Sequence, residues 1–167
     1  MFGAARQLFE KEPELKNDPR FKLYPEWMQQ QTAQMANLSA PNLGIDPSGN
    51  GKMVMDVMRA GAVIVAGTDT PNAINLHGEL AAYVTAGMTP YEALKAATVN
   101  PAHALALDAG TIEAGKLADL VVVEGNPLTN VANAHKVRRV IANGRVYEME
   151  QLINRGTASK PSTQAAR

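Results

Sequence analysis

Apolar and polar residues alternate with two different periods in this 167-residue chain. In the middle of the chain, Leu76, Leu80 and Val84 recur every four residues, which predicts a helix over His77–Ala86 that ends at Gly87. The last third contains short β-branched runs instead. Two periods in one chain indicate the α/β class, with the helices concentrated before residue 108.

The central stretch is an apolar run, Val63–Ala66, that leads directly into Gly67-Thr68-Asp69. A short apolar run bounded by turn residues is typical of a fully buried strand. Helical patterns over Lys52–Arg59 and His77–Ala86 flank it on either side. The ends of buried parallel strands are where α/β enzymes place reactive side chains, so Asp69 becomes a candidate for chemistry.

Capping and turn signals predict the remaining helices, strands and loops. The capping box Thr89-Pro90-Tyr91-Glu92 predicts a helix start, and Asn100-Pro101 is expected to stop that helix and to cap a short one over Ala102–Leu107. Asn143-Gly144 predicts a type I′ hairpin. Further predictions are helices over Phe2–Lys11 and from Pro25 to about Asn37, a loop over Pro41–Gly51, strands over Ala118–Val123, Val137–Ala142 and Arg145–Tyr147, and a disordered tail from Gly156.

The amino-acid composition argues against several classes of function. Sixteen basic residues balance sixteen acidic ones, and aromatic residues make up 5% of the chain, so neither nucleic acid nor an anionic membrane is an expected partner. No apolar run approaches the ~20 residues that a membrane-spanning helix needs. There is no cysteine, which excludes disulfides and thiolate metal sites.

Local chemistry leaves two interpretations of Asp69 open. An aspartate after Gly-Thr is a good turn residue, and it is also a suitable metal ligand or proton carrier. Short motifs have a high false-positive risk, so the pattern around Asp69 does not decide between the two.

The order of motifs further along the chain resembles the metal-dependent amidohydrolase superfamily, closest to its imidazolonepropionase- and prolidase-like branch. The resemblance covers roughly residues 52–147. The matching pieces are Gly67-Thr68-Asp69, His77-Gly78-Glu79-Leu80, Ala86–Leu94, Ala97–Ala102, Gly110–Val122, Asn126-Pro127-Leu128 and Val140–Val146.

The resemblance implies a fold and a site. The fold is the C-terminal part of a (β/α)₈ TIM-type barrel, with its eighth strand near 62–66, followed by the C-terminal strands of a small β-sandwich. On this basis residues 1–107 belong to the barrel, 108–150 to the sandwich, and 151–167 form a helix end and tail. Asp69 would be a metal ligand and the general base and acid, with zinc the expected divalent metal. His77 would contact the substrate, an amide, cyclic amide or dipeptide; its alternative role is to cap the start of its helix.

The chain also departs from that family's pattern. A (β/α)₈ barrel takes about 250 residues, and the family's His-x-His pair and further ligands are missing. Of the three histidines, His103 is expected to be a packing or surface residue and His135 to precede a strand. We therefore expect a C-terminal portion that is inactive and binds no metal tightly by itself. It would associate with the remainder of its barrel or with a second copy. The alternatives are a subunit of a split barrel and a non-catalytic α/β interaction module.

Overall fold

A computed structural model describes residues 8–37, 47–68 and 72–158, with side chains over 8–34, 51–68 and 72–155. Asp69 lies outside the described residues, as do most of the predicted first helix, most of the predicted loop before Gly51, and residues 159–167. Among the helices that the structure describes, none has the length and apolarity required to cross a lipid bilayer.

Helices occupy most of the described chain, and three short strands follow late in the sequence. Residues 8–11, the described part of the predicted first helix, are helical. The further α-helices in the described residues are α1 (Glu26–Asn37), α2 (Pro47–Arg59), α3 (Ala73–Ala86), α4 (Pro90–Ala97), α5 (Val99–Ala104) and α6 (Met149–Ala158). The strands are β1 (Leu120–Val123), β2 (Val137–Ala142) and β3 (Arg145–Glu148). Short 3₁₀ helices cover Pro13–Asn17, Pro19–Leu23 and Val131–His135.

Helix α3 begins four residues before the predicted start at His77. Asn72 is its N-cap, because the side chain of Asn72 accepts a hydrogen bond from the backbone N–H of Ile74. At the other end Gly87 adopts a φ of 120° and donates its N–H to the carbonyls of Tyr83 and Val84. The predicted end of the helix is therefore confirmed, whereas the start was missed because the first turn has no apolar repeat.

The capping box of α4 is confirmed. The hydroxyl of Thr89 accepts from the backbone N–H of Glu92, and the carboxylate of Glu92 accepts from that of Thr89. The predicted stop at Asn100-Pro101 is wrong, because α4 ends at Ala97 and both residues lie inside α5. A short second helix is present as predicted, but it spans Val99–Ala104 instead of Ala102–Leu107. Pro101 falls in the first turn of α5, where its missing N–H leaves no intrahelical hydrogen bond unmade.

The three strands form an antiparallel sheet in the order β1–β2–β3. The hairpin between β2 and β3 is confirmed: Asn143 has a φ of 48° and Gly144 a φ of 74°, the pair of positive values that a type I′ turn requires. Helix α6 packs against β2, β3 and the 3₁₀ helix Pro19–Leu23. Gly156–Ala158 belong to α6, so the predicted start of a disordered tail at Gly156 is wrong.

The main hydrophobic core lies between α2, α3, α4 and the 3₁₀ helix Val131–His135. Its buried members are Met55, Leu80, Tyr83, Met88, Ala93, Ala96 and Val131. A second buried cluster joins the N-terminal residues Leu8, Phe9 and Leu15 to Ile74 at the start of α3. Both clusters therefore include α3, the helix that follows the candidate residue Asp69.

The prediction of a buried strand over Val63–Ala66 is wrong for the described chain. Residues 62–68 form neither helix nor sheet, and Val63 and Val65 are 71% and 43% exposed. Ile64 and Ala66 pack against the main core. Helices pack against one side of this segment. Among the described residues, no strand lies beside its other side.

Candidate functional site

The 62–68 segment is attached to α4 and α5 just before Asp69. The N–H of Ala66 donates to the carbonyl of Ala96 at 2.7 Å, and the side-chain amide of Asn100 donates to the carbonyl of Ile64 at 2.8 Å. Because Asp69 follows Ala66 by three residues, these bonds fix where the chain enters the candidate site.

Asn72 holds the chain where it leaves the candidate site. It is 1% exposed, and its Nδ2 donates to the hydroxyl of Thr32 at 2.6 Å. That hydroxyl in turn donates to the carbonyl of Met28 at 2.8 Å, one turn earlier in α1. The chain is therefore bound to well-packed helices on both sides of residues 69–71.

His77 lies in the second turn of α3. The cap of that helix is Asn72, so the alternative role of His77 as a helix-start cap is wrong. Its imidazole packs edge-on against that of His135, with ring centroids 6.2 Å apart. Burial, reinforced by the nearby His135 and Arg20, lowers the pKa of His77 from 6.5 to about 4, so its ring is neutral at pH 7.

The Nδ1 atom of His77 is buried and has no hydrogen-bond partner among the described residues. A neutral imidazole can donate or accept a hydrogen bond at such an atom, depending on its tautomer. The predicted contact with substrate is therefore chemically available and stays a prediction.

The polar cluster around His135 was missed by the sequence reasoning. His135 is 5% exposed, its Nε2 lies 2.8 Å from Oε2 of Glu12, and its backbone carbonyl accepts from Arg20. Arg20 is held by Asp18, whose two carboxylate oxygens accept from Nε at 2.8 and 3.0 Å. Burial by itself raises the pKa of Asp18, but the hydrogen bonds and charge of Arg20 bring it below its usual value.

No sequence signal could have found this cluster, because Glu12 and His135 are 123 residues apart. It joins the N-terminal segment to the 3₁₀ helix Val131–His135 and lies against His77. His103 is exposed, in agreement with one of its two predicted roles.

Glu79 and Tyr83 form a second partly buried polar pair on α3. The phenol of Tyr83 donates to Oε1 of Glu79 at 2.6 Å, while Oε2 of Glu79 is buried without a partner among the described residues. Burial and the adjacent carboxylate both raise the pKa of Tyr83 far above its ordinary value, so this phenol stays protonated. Tyr83 therefore acts as a hydrogen-bond donor and packing residue.

The described residues do not form a metal site by themselves. A catalytic zinc takes about three protein ligands, and no three His, Cys, Asp or Glu side chains within residues 8–37, 47–68 and 72–158 lie close enough to share one ion. A cavity of about 230 Å³ is lined by Met58, Val63, Ile64, Lys95 and Asn100, among others. It lies beside the start of the 62–68 segment, away from the end that leads into Asp69.

Comparison with known proteins supports the family resemblance that the order of the sequence motifs indicated. A sequence model of the amidohydrolase family matches residues 41–147. The adenine deaminase of Methanosphaera stadtmanae is 40% identical over 70 residues, covering 41% of this chain and 12% of that protein. The imidazolonepropionase of Deinococcus radiodurans is 38% identical over 97 residues, covering 54% of this chain and 23% of that protein.

A crystal structure of a Xaa-Pro dipeptidase with bound methionine superposes with a TM-score of 0.56 at 28% identity, covering 88% of this chain and 33% of that one. The chain thus spans a third or less of each of these relatives. Such neighbours belong to a superfamily of TIM barrels that hydrolyse C–N bonds. Because the family match covers more than half of the sequence, the chain belongs to the amidohydrolase family.

Proposed function

We propose that Asp69 is the catalytic carboxylate of a hydrolase that cleaves C–N bonds in amides, cyclic amides or dipeptides. The observation that carries this proposal is the position of Asp69 inside the family match, between two stretches of backbone that are each bonded to helices. A carboxylate at such a place can accept a proton from an attacking water and deliver it to the leaving nitrogen.

The amidohydrolase family is generally metal-dependent. We propose that Asp69 also ligates a divalent metal, with zinc the expected ion. The described residues do not complete a ligand set around one ion, and we propose that the other ligands lie outside the 167-residue chain. A zinc titration of the 167-residue chain tests this: tight, stoichiometric binding would contradict the proposal.

His77 is the proposed substrate contact. Its buried Nδ1 lacks a partner among the described residues, and the ring is uncharged at pH 7. A neutral hydrogen-bonding group suits an amide or peptide substrate, which presents both N–H and C=O groups.

The exposed side of the 62–68 segment supports a partner. Val63 and Val65 are β-branched residues that strands normally bury, and here they face outward. We propose that the remaining strands of a (β/α)₈ barrel cover them, within one longer polypeptide or in a second chain. The 167-residue chain alone is accordingly expected to show no turnover.

Replacing Asp69 by Asn in the complete translation product of the gene tests the function. The names of the relatives suggest three substrates to try, namely adenine, imidazolonepropionate and Xaa-Pro dipeptides. On any substrate that the wild type turns over, Asp69→Asn should lower kcat about 100-fold or more, because proton transfer by a placed side chain contributes at least that much.

The matched control is Asp108→Asn, which removes an exposed carboxylate and should leave kcat within about twofold of wild type. If Asp69→Asn also stays within about twofold while its circular dichroism is unchanged, Asp69 is not catalytic. The 167-residue segment would then be better described as a non-catalytic interaction module within that enzyme, with Asp69 a turn residue.

A further inference from the structure

The buried pair of Thr32 and Asn72 connects α1 to the residue that caps α3. Asn72 uses both ends of its amide: Oδ1 accepts from the N–H of Ile74 at 3.2 Å, and Nδ2 donates to Thr32 at 2.6 Å. Thr32 is 2% exposed and its hydroxyl donates to the carbonyl of Met28. The hydroxyl thus acts as donor and acceptor at once, which fixes its rotamer and that of the amide.

Asn72 lies between the two proposed site residues, Asp69 and His77, along the chain. Consecutive Cα atoms are 3.8 Å apart, so the Cα of Asp69 lies within about 11 Å of the Cα of Asn72 wherever residues 69–71 run. His77 is five residues further on, in the same helix that Asn72 caps. The orientation of Asn72 therefore affects both the exit from residue 69 and the first turns of α3.

Thr32 and Asn72 lie on opposite sides of the boundary of the family match. Thr32 belongs to α1, which precedes the range 41–147 that matches the amidohydrolase family, whereas Asn72 lies inside that range. A buried hydrogen bond therefore connects a helix outside the family match to the residue that caps α3. Loss of the hydroxyl would leave the buried Nδ2 of Asn72 unpaired, and the amide would turn to find another acceptor.

We propose that Thr32 and Asn72 are positioning residues: through their hydrogen bond, α1 sets the orientation of Asn72, at which the chain leaves residues 69–71, and of α3, which carries His77. This inference rests on the proposed function for its catalytic part. The link between Thr32 and the cap of α3 is tested separately, without any assay of activity.

The test compares Thr32→Val, which keeps the shape but removes the hydroxyl, with Thr32→Ser, which keeps the hydroxyl. Thr85→Val is the matched control, because Thr85 also donates to the carbonyl four residues earlier but lies at the exposed end of α3. In the complete translation product, Thr32→Val should lower kcat at least tenfold with KM within threefold, since misplacement by about 1 Å can cost ~100-fold. Thr32→Ser and Thr85→Val should stay within threefold.

The second measurement is amide hydrogen exchange of Ile74 in the 167-residue chain. Thr32→Val should accelerate this exchange at least tenfold and Thr32→Ser should not, because only the former releases the Asn72 cap. Unchanged exchange in Thr32→Val overturns the proposal, and so does a kcat that falls equally in the Val and Ser variants. If Asp69→Asn retains full turnover, the proposed function fails instead, and the exchange result still decides whether Thr32 orients Asn72.

Discussion

The neutral, largely buried imidazole of His77 predicts a specific loss of stability in mild acid. Its pKa is about 4 in the folded protein against 6.5 in an unfolded chain, because burial and the neighbouring His135 and Arg20 disfavour the charged ring. Between those two pH values, His77 binds a proton in the unfolded chain and stays unprotonated in the folded chain. The stability associated with His77 is therefore intact above pH 6.5, falls as the pH drops, and is fully lost near pH 4.

The magnitude follows from linkage between protonation and folding. With these two pKa values, the free energy of unfolding should fall by about 2 kcal/mol between pH 7 and pH 5 through His77 alone. Urea unfolding of the 167-residue chain at pH 7, 6 and 5 measures this change. In His77→Gln the decrease should be smaller by about that amount, because glutamine does not titrate.

His103→Gln is the matched control, since it removes an exposed histidine by the same substitution. It should retain the wild-type dependence on pH. The quantity to compare is the change with pH, since the variants can differ in stability at pH 7. If His77→Gln loses as much stability as wild type between pH 7 and pH 5, burial of His77 does not control its protonation and the reasoning is refuted.

Two stability predictions concern α4. Thr89→Ala should cost about 1 kcal/mol in urea unfolding because it removes the N-cap acceptor, whereas Thr89→Ser should retain most of that stability; equal losses in both would argue against a capping role. Ala93→Leu should cost about 1–3 kcal/mol, because Ala93 is fully buried in the main core, and Tyr91→Leu at an exposed position of the same helix should change stability by less than about 0.5 kcal/mol. A neutral Ala93→Leu would mean that the core is looser than described.

The elements that the sequence predicted well are those with a local cause. The capping box at Thr89 and Glu92 requires only four consecutive residues, and the hairpin at Asn143-Gly144 only two. Both form because the side chain or backbone preference of those residues is satisfied within the same turn. Motif order likewise sufficed to identify the amidohydrolase family, since it needs no knowledge of contacts.

The contacts that join distant parts of the chain were not predictable. Asn72 is bound to Thr32 forty residues earlier, and His135 to Glu12 across 123 residues. Nothing in the local sequence distinguishes a buried histidine or threonine of this kind from an exposed one. Burial arises only when α1 and the N-terminal segment pack against the later helices, and that packing determines the surroundings of His77.

The 62–68 segment shows why a correct sequence pattern can give a wrong local structure. Its burial alternates, with Ile64 and Ala66 turned toward the core and Val63 and Val65 turned outward. This is the side-chain alternation of a strand, and the N–H of Ala66 already bonds to the carbonyl of Ala96. A strand, however, is completed by hydrogen bonds to a neighbouring strand, and the described residues provide none beside it. An uninterrupted apolar run is typical of a strand with apolar surroundings on both faces, and the described residues provide such surroundings on one face only.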